Sequence, residues 1–452
     1  LPREAMLEAA RSQWLYLFPG IRRAAPPALL ESLLGLAQGN PFYLEELFRF
    51  VRDRGIDPTN EDALARMDMP ESLQTLILAR IDQLSEHDKT ILRVASVIGR
   101  LFNADWLPGF APEMGSLERV KQALAVMESV DLTPLDSPEP ELKYLFKHII
   151  THEVAYESLP YELRQRLHER LGLWLEAVSG DHPPVDTLAS HFGRTANRAK
   201  QLEYFRKAAE AARKSWANEA ALAYYARLLT LLGGAERAEI LLARAEVQDT
   251  VGDLTGAQAA YQEALELAEA ASQPLLAAKA VYGVGVMKGL RGESTESQVW
   301  LQRATAGFAA LGAGAQQAAS LCDEGLFLAR TGAFDAAEAK LKESLDRAQA
   351  VADQKTASSA LNYLGSIAHA RGRYAQARSL YADSLAIKRQ LGDRHKIALT
   401  LNNLGVVATD EGLFDEALSL LQESLQLRRA MGEKSGIAAT LVNLAAGACF
   451  LP

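Results

Sequence analysis

Leu401-Asn402-Asn403-Leu404-Gly405, Gly412-Leu413-Phe414-Asp415-Glu416-Ala417 and Glu423-Ser424-Leu425 form the most regular stretch of this chain. Forty residues earlier stand Leu361-Asn362-Tyr363-Leu364-Gly365, Gly372-Arg373-Tyr374-Ala375-Gln376-Ala377 and Asp383-Ser384-Leu385. Working outward, Gly252, Gly292, Gly332, Gly372 and Gly412 keep the same period, and so do Gly285, Gly325, Gly365 and Gly405. A fixed period over several units predicts stacked helical hairpins, because one hairpin cannot bury its own apolar face. The Gly365/Gly405 position falls mid-helix, where glycine costs about 1 kcal/mol against alanine. Close approach of the paired helix is the expected offset, with Ala377 or Ala417 as its small contact residue. Gly372 and Gly412 end the first helix of each pair, where a positive φ suits glycine. One unit is looser: Ser294 and Ser297 stand where the others carry an aromatic residue and an alanine.

The pattern resembles the tetratricopeptide repeat in its long form, over roughly residues 185–452. The repeat begins out of phase, since Ala220–Tyr225 and Ala257–Gln262 are related at a spacing of thirty-seven. A superhelix of hairpins presents a concave face built from the first helices. Asn362, Asn402, Asn403 and Asn443 lie on those helices, and an asparagine amide donates to and accepts from a peptide backbone at once. In similar repeat proteins asparagines at this place hold extended peptides. Bonding across the hairpin, inside the array, is the alternative for these four residues. The chain reaches Phe450-Leu451-Pro452 inside the first helix of a further unit, so more repeats or a covering partner are expected there.

Composition sets wider bounds. The chain has 452 residues, a net charge of −9 and two cysteines, Cys322 and Cys449, far apart in sequence. That is enough chain for two to four domains. A disulfide scaffold and a cysteine-based zinc site are not expected, and a reducing cytoplasm fits. No apolar run is long enough to cross a membrane. The acidic balance argues against a large phosphate-binding surface. The chain opens at Leu1 with no secretory signal, which points to a piece of something longer.

Ahead of the repeats, Gly39-Asn40-Pro41-Phe42-Tyr43-Leu44 ends one helix and starts the next, with Pro41 in the first turn, where its missing N–H does no harm. Ser85-Glu86-His87-Asp88 caps a helix over Ile91–Ile98. A third helix is predicted from about Ser116 to Val130, and two strands near Leu132–Leu135 and Leu142–Phe146 flank Asp136-Ser137-Pro138-Glu139-Pro140. This order predicts a winged helix over 67–180, with a first helix from Pro70. Its third helix and turn carry more acids (Glu118, Glu128, Asp136, Glu139, Glu141) than bases (Arg119, Lys121), so no nucleic-acid interface is predicted. His148 and His152 have helical i,i+4 spacing, but no cysteine or carboxylate cluster completes a metal site. Asp181-His182-Pro183-Pro184 reads as a linker, and His182 and His191 read as cap or surface residues.

Taken together, the Gly-x-Pro string, the winged helix with its trailing histidine, and the repeats resemble the C-terminal part of a bacterial STAND signalling ATPase, a relative of AAA proteins. That resemblance implies a helical lid over 1–66, with Pro41 near the adenine of a nucleotide. It also implies that His148 reaches the phosphate of ADP, although Ile149 follows it where the family often has aspartate. The chain holds no Gly-x-x-x-x-Gly-Lys-[Ser/Thr] loop, so phosphoryl transfer is not expected of it. ATP or ADP is expected only in a longer parent, at a site completed by an upstream nucleotide-binding domain, with oligomerisation on activation. The expected class is all-α: lid, winged helix with a small β-hairpin, then a tetratricopeptide-repeat superhelix over 181–452. The expected role is sensing a protein, peptide or small effector. A nucleotide-independent scaffold, or the sensing part of a LuxR-type transcription regulator, are the alternatives.

Overall fold

A computed structural model describes residues 1–21, 24–55, 57–60 and 72–448. The helix start expected at Pro70, Cys449 and the end of the array at 450–452 lie outside the described residues. The molecule is nearly all helical, with three short strands among the described residues. It divides into two compact units, Leu1–Tyr204 and Phe205–Pro452. The division lies later than the predicted linker at Asp181–Pro184. The reason is packing: Val185–Phe192 buries Leu188, His191 and Phe192 and packs against Tyr161–Val178, within the first unit.

In the first unit Pro41–Asp53 starts as its residues predict. Gly39 takes φ 81°, and the Asn40 side chain accepts from the Phe42 and Tyr43 amides at 3.0 and 3.3 Å. The Ser85 hydroxyl likewise accepts from the Asp88 amide at 3.2 Å and opens Glu86–Ile98. Leu117–Ser129 forms the third expected helix. The strands are β1 (Leu101–Asn103), β2 (Leu135–Ser137) and β3 (Lys143–Leu145). They pair antiparallel in the order β1-β3-β2. Only the β2–β3 hairpin was expected. β1 is three residues long and carries one buried side chain, Phe102, too short to leave an alternation that can be read.

Among the described residues the second unit contains five hairpins: 234–250 with 254–270, 274–290 with 294–310, 314–330 with 334–350, 354–370 with 374–391, and 394–410 with 414–431. Lys434–Ala448 follows as the first helix of another. The two glycine ladders serve different purposes. Gly252, Gly292, Gly332, Gly372 and Gly412 have φ between 70° and 83° and open space where a Cβ would stand. They are glycines for their backbone. Gly325 and Gly405 are glycines for lack of room: a Cβ would lie 2.5 Å from Leu341 Cγ and 2.6 Å from Leu421 Cγ, respectively. At the two predicted pairs the close side chain is Tyr381 for Gly365, 3.0 Å from its Cβ position, and Leu421 for Gly405, rather than Ala377 or Ala417. Ala417 contributes only its backbone, with the carbonyl 3.4 Å from that Cβ position.

The serine of each Glu/Asp-Ser-Leu segment ties the hairpin together. Ser344, Ser384 and Ser424 are buried and donate to the carbonyls of Ala318, Ser358 and Ala398, each at 2.7 Å. Ser297 fills the alanine position of the loose unit and donates to the Gly285 carbonyl at 2.8 Å. Its hydroxyl is satisfied, so burial at that place is tolerated.

A third ladder closes the other turn: Ser272, Gly312, Ala352, Gly392 and Gly432 all take positive φ, from 51° to 70°. Its residue type varies, so spacing of glycines does not reveal it. Ala352 holds φ 55° at a cost of about 1–2 kcal/mol. Ala352→Gly is expected to stabilise the array by about 0.5–1 kcal/mol after the glycine's greater freedom in the unfolded chain is counted. A thermal melt at neutral pH checks it; an unchanged or lower midpoint contradicts the strain.

Candidate functional site: a groove on the first helices

The first helices of the second unit line two adjoining grooves of about 510 and 420 Å³. Both include Tyr282, Gln316, Ala319 and Lys355. Asp323 and Tyr363 line one of them, and Asp249 and Lys279 the other. Tyr282 and Asp323 come from successive first helices, and the Tyr282 hydroxyl donates to Asp323 Oδ2 at 2.5 Å. Burial pushes the Asp323 carboxyl up to about 6, because a carboxylate loses hydration in the groove faster than one hydroxyl replaces it. Burial also raises the Asp249 carboxyl. Among the described residues the side chains of Asp249, Asp323, Lys279 and Lys355 make no ion pair. Ion pairs elsewhere in the array include Arg371–Asp335 at 2.5 Å and Arg378–Glu416 at 2.8 Å.

The four predicted asparagines divide into two groups. Asn362 is buried, and its Oδ1 accepts from Lys388 Nζ at 3.2 Å and Thr400 Oγ1 at 3.1 Å. Lys388 lies across the same hairpin and Thr400 on the next. Lys388 is buried with it and also donates to Thr400 at 2.7 Å, and burial lowers its ammonium to about 8. Asn402 is buried too and accepts from Asn443 Nδ2 at 3.1 Å, another bond between neighbouring first helices. Asn403 is half-buried. It occupies the same place in its hairpin as Asp323 and Tyr363, at the forty-residue period. Asp323 was therefore legible as a member of that row.

In the first unit the fold brings Pro41 and His148 into one neighbourhood. Phe42, the next residue after Pro41, stacks on His148 with ring centroids 3.3 Å apart at 33°. Lys147 links Glu45 on the same helix at 3.4 Å and also pairs with Asp131. Arg49 binds Glu45 at 2.7 Å and pairs with Asp131. His148 caps Ile149–Glu157 without a side-chain hydrogen bond, and its Nε2 is buried with no polar partner. Burial, then the Lys147 charge, lowers the imidazole to about 4, so it is neutral at physiological pH. His152 is occupied elsewhere, 2.9 Å from the Ser96 carbonyl. No group of three metal-ligating side chains occurs among the described residues.

His191 corrects an expectation. It is buried rather than a cap or surface residue, with Nδ1 2.9 Å from His168 Nδ1. Tyr156 closes the network 2.8 Å from His168 Nε2. Nothing in the local sequence separates a buried histidine from an exposed one. His182 is exposed as expected.

Residues 355–430 match the family model of the tetratricopeptide repeat. That match covers two hairpins, and the same hairpin recurs from residue 234. The array is built of helical hairpins, two of which match this repeat. An uncharacterized protein of Rhizobium meliloti (strain 1021) is 25% identical over 190 residues, 41% of this chain and 18% of that protein. The chain thus spans under a fifth of that relative's length. Among solved structures, a STAND protein with a tetratricopeptide repeat sensor from Pyrococcus horikoshii aligns with 98% of this chain and 68% of its own, at 11% identity and TM-score 0.44. Aspartyl phosphate phosphatase F from Bacillus subtilis aligns over 95% of both chains, at 12% identity and TM-score 0.45. A Rap protein complexed with Competence and Sporulation Factor aligns with 67% of this chain and 92% of its own, at 14% identity and TM-score 0.43. No helix among the described residues is long and apolar enough to cross a membrane.

Proposed function

We propose that this chain is a sensing segment whose repeat array takes up an extended stretch of a protein partner along its first helices. The observation that carries the reading is a pair of adjoining grooves lined by Asp249, Lys279, Asp323, Asp353 and Lys355, none of which makes an ion pair among the described residues. Unpaired charge in a concavity disfavours the free state and is relieved by a ligand of complementary charge. Ala319 lines both grooves and has no polar role. Selecting phage-displayed linear peptides on the chain and re-testing them on Ala319→Trp checks the proposal. The indole should block the groove and weaken the selected peptides at least about tenfold, with the fold kept. Selected peptides that bind the variant equally well would place the interaction elsewhere.

For the first unit the proposal is that it gates a nucleotide site in a longer STAND-type parent. Pro41 would lie against adenine and His148 would donate to phosphate. Two observations support this: Phe42 joins the two residues, and the His148 Nε2 lacks a partner. A buried orphaned nitrogen costs about 1–3 kcal/mol, which an acceptor oxygen of a ligand would return. A protonated imidazole is not needed, since a neutral ring still carries one N–H. In the parent, His148→Ala is expected to shorten ADP retention about tenfold and raise basal output. Unchanged ADP release would reject the role of His148 and leave the groove reading intact.

A further inference from the structure

We propose that the groove reads one basic side chain of the partner segment, an arginine or lysine seated on the Asp323 carboxylate between the rings of Tyr282 and Tyr363. The inference rests on the peptide-groove reading and names what that groove selects. Four features of the site converge on a cation. Asp323 is a carboxylate in a groove and has no cationic partner among the described residues. The 2.5 Å bond from Tyr282 uses Oδ2, so Oδ1 is left to accept from a ligand. Tyr282 and Tyr363 line the same groove as Asp323, and aromatic faces attract guanidinium and ammonium groups. Asp249 adds a second negative charge further along.

The groups facing Asp323 can be named element by element. Tyr282 and Lys279 come from 274–290, Cys322 and Arg330 from its own helix, Asp353 from the turn before 354–370, Lys355 and Tyr363 from that helix, and Glu246 and Asp249 from 234–250. Cys322 is buried with its thiol raised by that burial, so it stays neutral. Arg330 lowers the Asp323 carboxyl only from a distance, as no ion pair joins them. Lys279 and Lys355 would instead favour an acidic segment; they hold no bond to Asp323 in the groove, and an acidic preference is the rival outcome.

The carboxylate must be ionised to hold a cation. Its ionisation near pH 6 makes binding pH-dependent in a stated direction: full above about pH 7, and weaker below 6 as the carboxyl protonates.

The test uses the peptides selected on the intact chain. Those lost on Ala319→Trp are expected to share an arginine or lysine. Replacing that residue with alanine should weaken binding to the wild-type chain at least about tenfold. Asp323→Asn keeps the size and the Tyr282 bond, and should abolish the preference for the basic peptide over its alanine form. Binding of the basic peptide should fall about tenfold from pH 7 to 5, and that of the alanine form should not. Groove-dependent peptides with no basic residue, or with an acidic one, overturn this inference while the groove reading stands. Failure to select any peptide sensitive to Ala319→Trp overturns both. If Asp323→Asn lowers the melting midpoint, the arginine-to-alanine comparison on the wild-type chain still decides the matter.

Discussion

Gly325→Val is expected to destabilise the repeat array by about 3 kcal/mol, a large part of a marginal stability. On an open helix face, replacing glycine would gain up to about 1 kcal/mol of helix propensity. Here the first added carbon lies 2.5 Å from Leu341 Cγ, 2.9 Å from its Cδ2 and 3.2 Å from the Ala337 carbonyl. Leu341 is fully buried, so it cannot retreat without displacing the next hairpin. The branched side chain adds two more methyl groups to the same contact. Gly325→Ala should also destabilise, by about 1–2 kcal/mol, since overpacking outweighs propensity. Thermal or urea melts of both variants measure this. A stabilised Gly325→Ala would show that the two helices are not in close contact at this point.

The second large effect is acid instability of the first unit, arising from the His168–His191 pair. Burial, with the neighbouring charges, lowers His168 to about 3 and His191 to about 4, from an ordinary value of 6.5. The folded state therefore binds fewer protons than the unfolded chain once pH falls below 6.5. Stability is fully present above that value and declines as pH falls towards 4, by up to about 1.4 kcal/mol per pH unit for each ring kept neutral. Coupling between the rings spreads the loss over a wider range. Denaturant melts from pH 7 to 4.5, comparing wild type with His191→Phe, test the source. His148, lowered to about 4, adds to the same slope, so the variant should lose about a third of it. An equal slope in both would assign the acid sensitivity to other groups.

Both effects show how local pattern and tertiary packing divide the explanation. Repeats of forty residues, the turn glycines and the Ser85 cap were legible because each depends on a few neighbouring residues. A left-handed turn needs a glycine, an N-terminus needs an acceptor, and an apolar stripe needs a period. The mid-helix glycines were legible as close contacts, but their partner was not. Gly325 meets Leu341 rather than Ala337 because side chains lean along the helix, so the nearest side chain lies one turn beyond the nearest backbone. The Ser272–Ala352 turn ladder was hidden because a non-glycine residue holds positive φ when the surrounding turn outweighs its strain.

The candidate sites divide in the same way. The resemblance to STAND proteins singled out Pro41 and His148, residue type and period singled out the asparagines, and the repeat period alone would have placed Asp323 in the row of Asn403. What only the tertiary structure decided is which of these side chains are already occupied. Asn362 and Asn402 point into joints between hairpins, where buried amides must find partners. His191 enters the core because Val185–Phe192 packs back on the preceding helix. Asp323 remains without an ion-pair partner in a groove that no single hairpin possesses. Sequence periodicity determines that helices stack. Burial and pairing belong to the space between helices, and that space exists only once the chain has folded.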